Sequence, residues 1–158
     1  MNVSFPPIAS IEDISSIEKT PLPDRLDIQS TREIFERSAQ KYGSRIALKY
    51  LFFGRSTEEP VTFTYDEMLC KVRQAANLFH HLGVNESNPV SFLLPNLPQT
   101  HFCLWGAEMA GVVNPINVLL EADHIVSILN AAKTKVLVTL TPFPKTDIWV
   151  NALHDGPA

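Results

Sequence analysis

Three asparagines stand where a chain of this pattern could meet a ligand. Asn96 follows "LLP" (93–95) and precedes Leu97 and Pro98, while Asn114 and Asn117 flank Pro115 in "VVNPIN" (112–117). Each lies at a segment that reads as the exit of a β-strand, and ligands of open α/β sheets gather outside the carboxyl ends of strands. A carboxamide there can donate to a ligand and accept from it, or it can satisfy its own turn, as asparagine commonly does. Both readings stay open for all three.

The other reactive side chains point to structure. Asp66, Glu67, Glu121 and Asp123 fall in the first turns of predicted helices, where a carboxylate complements the N-terminal dipole. Cys70 and Cys103 sit in segments read as apolar helix faces and are expected to be small core residues. His80 and His81 are adjacent, so they diverge by about 100 degrees on a helix and cannot grip one metal ion together. No metal site is expected. The chain has no GxGxxG and no GxxxxGK, and its six glycines never fall close enough together to ring a phosphate with backbone N–H groups. No serine stands between glycines as a nucleophile elbow. No residue is therefore assigned a catalytic role.

Composition narrows the class of partner. With 45% hydrophobic and 19% charged residues over 158 positions, the chain is globular. Its net charge is −4 and its 13 Lys and Arg are scattered, which argues against a nucleic-acid partner. The N-terminus lacks the cationic opening and apolar core of a signal peptide, and no stretch approaches the ~20 apolar residues of a membrane span. A cytoplasmic protein without a membrane span is expected.

These residues need elements to position them. Residues 1–29 read as an N-terminal arm, broken by Pro6, Pro7, Pro21 and Pro23, with Ile8, Ile11, Ile14 and Ile17 recurring every three. Either one short helical turn docks through the isoleucines, or the arm is a frayed tail. From Ser30 the signals sharpen. "STRE" has the reciprocal pattern of a capping box and predicts a helix over 31–42, stopped by Gly43. "RIALKYLFF" (45–53) and "VTFTY" (61–65), rich in β-branched and aromatic residues, read as a β-hairpin around "GRSTEEP". Thr64 and Glu67 form a second capping box for a helix of about 65–82, stopped by Gly83 and Val84.

Strand and helix then alternate. Strands are expected at 89–94, 112–117 and 135–140, with helices at 98–110, 121–132 and 145–153. Such short connections imply right-handed βαβ units. The fold class is α/β: layered βαβ units with a mainly parallel sheet covered by helices, preceded by the hairpin and the arm. The helix carrying Phe102, Leu104, Trp105, Ala107, Met109 and Ala110 is apolar nearly all round and must be covered on every side.

Taken in order, "VTFTYDEMLCKVRQAANLFHHLGV", "VSFLLPNLPQTHFCLWGAEMAGVVNPIN" and "EADHIVSILNAAKTKVLVT" resemble the opening portion of the adenylate-forming superfamily, especially its acyl-CoA synthetases. "FTYDEM", with Thr64, Tyr65 and Glu67, is similar to the first core motif. "WGAEMAGVVNPIN", with Gly111 and Pro115, is similar to the second. The resemblance spans roughly residues 30–153 and marks 30–158 as an incomplete N-terminal scaffold subdomain. It implies that the full-length enzyme activates a carboxylic acid, fatty or otherwise hydrophobic, with ATP and Mg2+, then passes the acyl group to coenzyme A. It also implies that the Ser/Thr/Gly-rich phosphate loop and the later motifs lie beyond Ala158, so the chain alone binds no cofactor and does not turn over. In this reading Thr64 and Glu67 cap a helix, Gly111 gives the backbone freedom to leave one, and Phe102 and Trp105 are core or interface anchors. The expected partner is the remainder of the parent enzyme, with a homo-oligomer as a further expectation from uncovered apolar surface. The rival reading is a stand-alone, non-catalytic α/β module for interaction or dimerisation.

Overall fold

The computed structural model describes residues 8–25 and 27–140. Two short helices, α1 (Ile11–Glu18) and α2 (Leu22–Arg25), make up the described part of the arm. Ser10 and Asp13 form a capping box at the start of α1, yet no residue of α1 is buried, and Ile8 and Ile11 are exposed. Helix α3 (Thr31–Tyr42) follows. The Ser30 hydroxyl accepts from the Glu33 N–H at 3.3 Å, as the capping pattern requires. The Glu33 carboxylate, however, reaches one residue further back than expected and accepts from the Gln29 N–H at 2.9 Å. It is also gripped by Arg37 one turn along at 2.5 Å, and Arg37 ties the helix to Asp27 at 2.7 Å.

The hairpin is antiparallel, β1 (Ile46–Tyr50) with β2 (Val61–Thr64), and a register irregularity falls between Ile46 and Leu48. Its strands are shorter than the apolar runs suggest, because Phe52 and Phe53 turn into the connection. There their N–H groups donate to the Glu58 carboxylate at 2.6 and 3.0 Å.

Helix α4 (Tyr65–His81) is the long support of the molecule. Thr64 Oγ1 accepts from the Glu67 N–H at 3.2 Å, and Glu67 Oε2 accepts from the Thr64 N–H at 2.8 Å, so both halves of the box form. The helix stops at Gly83, whose φ of 84° only glycine adopts without strain. The Val84 N–H then closes on the Phe79 carbonyl at 3.0 Å and the Gly83 N–H on the His80 carbonyl at 3.0 Å. Met68, Val72 and Phe79 form the buried stripe. Cys70 does not belong to it: two residues beyond Met68 is about 200 degrees around the helix, and its side chain is exposed. The expectation of a core cysteine fails there. Cys103 is partly buried beside Ala107, and burial pushes its thiol pKa up.

The three remaining strands, β3 (Val90–Leu93), β4 (Val113–Pro115) and β5 (Val136–Thr139), form a parallel sheet in the order β4-β3-β5. Val90 is level with Val113 on one side and Val136 on the other. Helix α5 (Pro98–Ala110) links β3 to β4, and α6 (Ala122–Ala132) carries the chain back past β3 to β5. Right-handed connections that first step one way and then return leave their helices on opposite faces. The packing agrees. Val90, Val113, Val136 and Val138 meet Phe79 of α4 and Ala107 of α5, whereas Leu93 and Leu137 meet Ile125, Ile128 and Leu129 of α6. Covered on both faces and flanked on both edges, β3 is buried throughout.

The apolar α5 is packed from several sides but is not covered all round as its composition leads one to expect: Pro98, Gly106 and Ala107 are buried, whereas Phe102, Leu104, Trp105 and Met109 stay half-buried. Phe35 of α3 packs on Trp105 at 5.7 Å between ring centroids, and Phe63 of β2 meets Phe102 edge-on at 5.1 Å. Against α4 it comes so close that a Cβ on Gly106 would stand 2.5 Å from the Ala75 Cβ and 2.9 Å from the Ala76 nitrogen. Gly111, at the exit of α5, is needed for a related reason. Its φ of 170° is ordinary extended backbone, but a Cβ there would lie 2.4 Å from the Asn85 carbonyl carbon. Close approach, rather than freedom to leave the helix, makes this position glycine. The predicted helix over 145–153 lies outside the described residues.

Candidate functional site

Among the described residues, the carboxyl edge of the parallel sheet is formed by the loops that leave β3 and β4. On the β3 side the chain turns through Leu94, Pro95, Asn96 and Leu97 into Pro98, the first residue of α5, where a missing N–H is harmless. Thr100 fixes this corner from inside the helix. Its hydroxyl donates to the Pro95 carbonyl at 2.5 Å and accepts from the Leu97 N–H at 3.3 Å. From the hairpin, the Tyr50 hydroxyl donates to the Asn96 carbonyl at 2.7 Å. The Asn96 backbone is thus anchored, while its side chain is exposed and makes no hydrogen bond among the described residues.

The β4 exit is built differently. The Ile116 N–H donates to the Phe92 carbonyl at 3.0 Å, extending the ladder one residue past β4, and Ile116 is buried. Asn117 then closes its own turn, its Oδ1 accepting from the Leu119 N–H at 3.0 Å, with the side chain exposed. Pro115, level with Phe92, lies on an edge strand, the place in a sheet where proline is tolerated.

Asn114 is not in the exit loop. It stands inside β4, level with Ser91, and its Nδ2 donates to Ser91 Oγ at 3.0 Å. Ser91, fully buried, also shares a hydrogen bond of 2.6 Å with Thr134 Oγ1. These three side chains therefore satisfy one another beneath the edge. At the end of β5, Thr139 Oγ1 is buried without a partner among the described residues. The structure thus brings Asn96 and Asn117 to the same edge of the sheet and places Asn114 below it.

The two described loops of this edge are electrically neutral. Neither loop, 94–97 or 116–120, carries a Lys, Arg, Asp or Glu, and no cluster of three or more His, Cys, Asp or Glu side chains suited to a metal exists among the described residues. A seat for a triphosphate with its Mg2+ requires fixed cationic donors and metal ligands. The described residues of this edge do not fit that group. The motif residues at the other end of the hairpin are structural. Tyr65 stacks at 5.5 Å on Tyr42. The Glu67 carboxyl pKa is lowered first by the Thr64 N–H and then by the Thr64 hydroxyl.

Sequence reasoning overlooked Ser91, Thr100 and Tyr50. Ser91 had a signal, as a single hydroxyl inside an otherwise apolar strand must find a buried partner. Tyr50 had none, because its contact is 46 residues away in the chain.

The family model described as "AMP-binding enzyme" matches residues 35–156. The chain is 38% identical over 146 residues to a marinolic acid–CoA ligase of Pseudoalteromonas sp., covering 92% of this chain and 22% of that protein. It is 32% identical over 116 residues to a crotonobetaine/carnitine–CoA ligase of Salmonella arizonae, covering 73% of this chain and 22% of that protein. Among solved structures, the N-terminal domain of FACL13 from Mycobacterium tuberculosis superposes with a TM-score of 0.66 at 24% identity, over 82% of this chain and 32% of that one. A Mycobacterium tuberculosis fatty acyl CoA synthetase superposes with a TM-score of 0.62 at 22% identity, over 70% of this chain and 21% of that one. The likeness to these structures is one of fold, and the chain spans about a fifth of the length of the curated relatives.

Proposed function

The chain belongs to the AMP-binding enzyme family, and from that membership we propose that it is the N-terminal scaffold of an ATP-dependent acid–CoA ligase. The complete enzyme converts a carboxylic acid, fatty or otherwise hydrophobic, with ATP and coenzyme A into acyl-CoA, AMP and pyrophosphate. The observation that carries the proposal is an asymmetry of coverage: nearly the whole chain aligns with a CoA ligase, but with only 22% of it. The supporting chemistry is negative charge without an answer. Pyrophosphate release needs several preorganised cationic donors and a metal, and the neutral loops beside β3 and β4 supply none.

In this role residues 30–158 hold the sheet, helices and hairpin on which the reacting parts assemble, while residues 1–29 form an arm. Asn96 and Asn117 are the side chains placed to line a neutral wall of the ligand cleft, because both reach solvent at the carboxyl edge. Asn114 is committed to Ser91 and serves the sheet. ATP, Mg2+ and coenzyme A bind to the complete enzyme, whose remainder is the partner of this chain, in the cytoplasm. The DNA beyond codon 158 tests the proposal: a frame continuing into a Ser/Thr/Gly-rich loop with a lysine is expected, and an immediate stop codon would support the non-catalytic module instead.

A further inference from the structure

In the helical layer, with neither Asn96 nor Asn117 in its lining, a cavity of about 320 Å3 opens between α3, α4 and the C-terminal end of α5. Its polar wall is Arg32, Arg73, Asn77 and His80, and Ala76 and Met109 contribute an apolar floor. Arg73, Asn77 and His80 lie at i, i+4 and i+7 on α4, so they share one face. No acidic side chain lines the cavity.

The two arginines converge on one atom. Arg32 Nε and Arg73 Nη2 stand 2.8 and 2.7 Å from the same oxygen of Glu36. Two cations thus share one carboxylate and leave a local excess of positive charge. Each guanidinium carries five N–H donors in a planar fork. Each spends a single nitrogen on Glu36, and neither makes another hydrogen bond among the described residues. A bidentate pair would have saturated one fork. A shared, single-point contact leaves both forks able to take a second anion.

We propose that this cleft binds a phosphomonoester, whose dianion bridges Arg32 and Arg73 while its organic part lies over Ala76 and Met109. A phosphate monoester carries close to two negative charges at neutral pH and three acceptor oxygens, which matches two half-used guanidinium forks. The cavity exceeds what inorganic phosphate fills, and its floor is apolar, so an organic substituent adds contact. The site is separate from the carboxyl edge and does not depend on the ligase reading.

Equilibrium dialysis of the full chain against phenyl phosphate and against inorganic phosphate, at constant ionic strength set with sodium chloride, tests the proposal whatever the state of association. Saturable binding is expected, tighter for phenyl phosphate. Arg73→Gln should weaken it about tenfold, the effect of losing one charged hydrogen-bond donor. Glu36→Gln should tighten it ~3-fold by removing the competing carboxylate. Arg37→Gln, outside the cleft, should leave it unchanged. A folding defect would weaken binding in both cleft variants, so their opposite signs separate the site from a mere salt-bridge network. Binding that is not saturable, phenyl phosphate binding no tighter than inorganic phosphate, an Arg73→Gln variant that binds as well as the parent, or a Glu36→Gln variant that binds more weakly would each overturn the proposal.

Discussion

Thr64 and Glu67 each satisfy a backbone donor that the first turn of α4 would otherwise leave orphaned. Thr64→Ala removes the hydroxyl that caps this helix, and a loss of about 1 kcal/mol in unfolding free energy is expected, measured by denaturant titration. The Glu67 carboxyl adds a pH dependence. Its folded pKa is lowered from the ordinary value of 4.5, first by the Thr64 N–H. Its contribution is therefore whole above 4.5 and is lost as the pH falls through the lowered folded value. Glu67→Gln should flatten the acid limb of the stability profile and leave the neutral region nearly level in slope. These residues were legible in the sequence because a capping box is local, with both partners within three positions. Asn114 was not. The sequence puts it beside a proline at a strand exit, and only the parallel register with β3 reveals Ser91 at its side.

At the scale of elements, the contact between α4 and α5 decides how the helical layer sits on the sheet. Ala in place of Gly106 would gain about 1 kcal/mol of helix propensity, but its Cβ would overlap Ala75 and the Ala76 backbone, and overpacking of that kind costs about 1–3 kcal/mol. The steric cost should win because a helix backbone cannot rotate out of the way as a side chain can. Gly106→Ala is expected to lower the thermal midpoint, and an unchanged or raised midpoint would show that the two helices are not in such close contact. Element types and order were readable from periodicity: 98–110 was predicted and α5 spans those residues. Boundaries of strands were less so. The apolar run 45–53 outlasts β1, since Phe52 and Phe53 leave the ladder to donate to Glu58. Cys70 was misplaced because a cysteine between apolar neighbours looks internal until the helix phase is set by Met68 and Val72.

At the scale of the whole molecule, the chain is proposed to serve as a foundation. Among the described residues the parallel sheet has three strands, fewer than the usual four to six, and both outer strands are only partly buried. Large apolar side chains remain open to solvent, among them Leu119 at 85% and Phe53 at 76% relative exposure, next to the carboxyl edge and in the hairpin connection. The two described loops at that edge carry none of the charge needed to handle a triphosphate. One donor to developing negative charge is worth about 10²–10³-fold in rate, and these two loops supply none that is charged. The family and the α/β class were legible because motif order survives in the sequence. The neutrality of the described carboxyl edge was not legible, since it is seen only when the loops 94–97 and 116–120 are brought together. We propose that this chain supports the ligase reaction without performing any step of it. ATP–pyrophosphate exchange by the purified 158-residue chain, supplied with Mg2+ and a panel of carboxylic acids, tests it most directly. No exchange above the protein-free control is predicted for any acid, and acid-dependent exchange that copurifies with the chain would contradict the account.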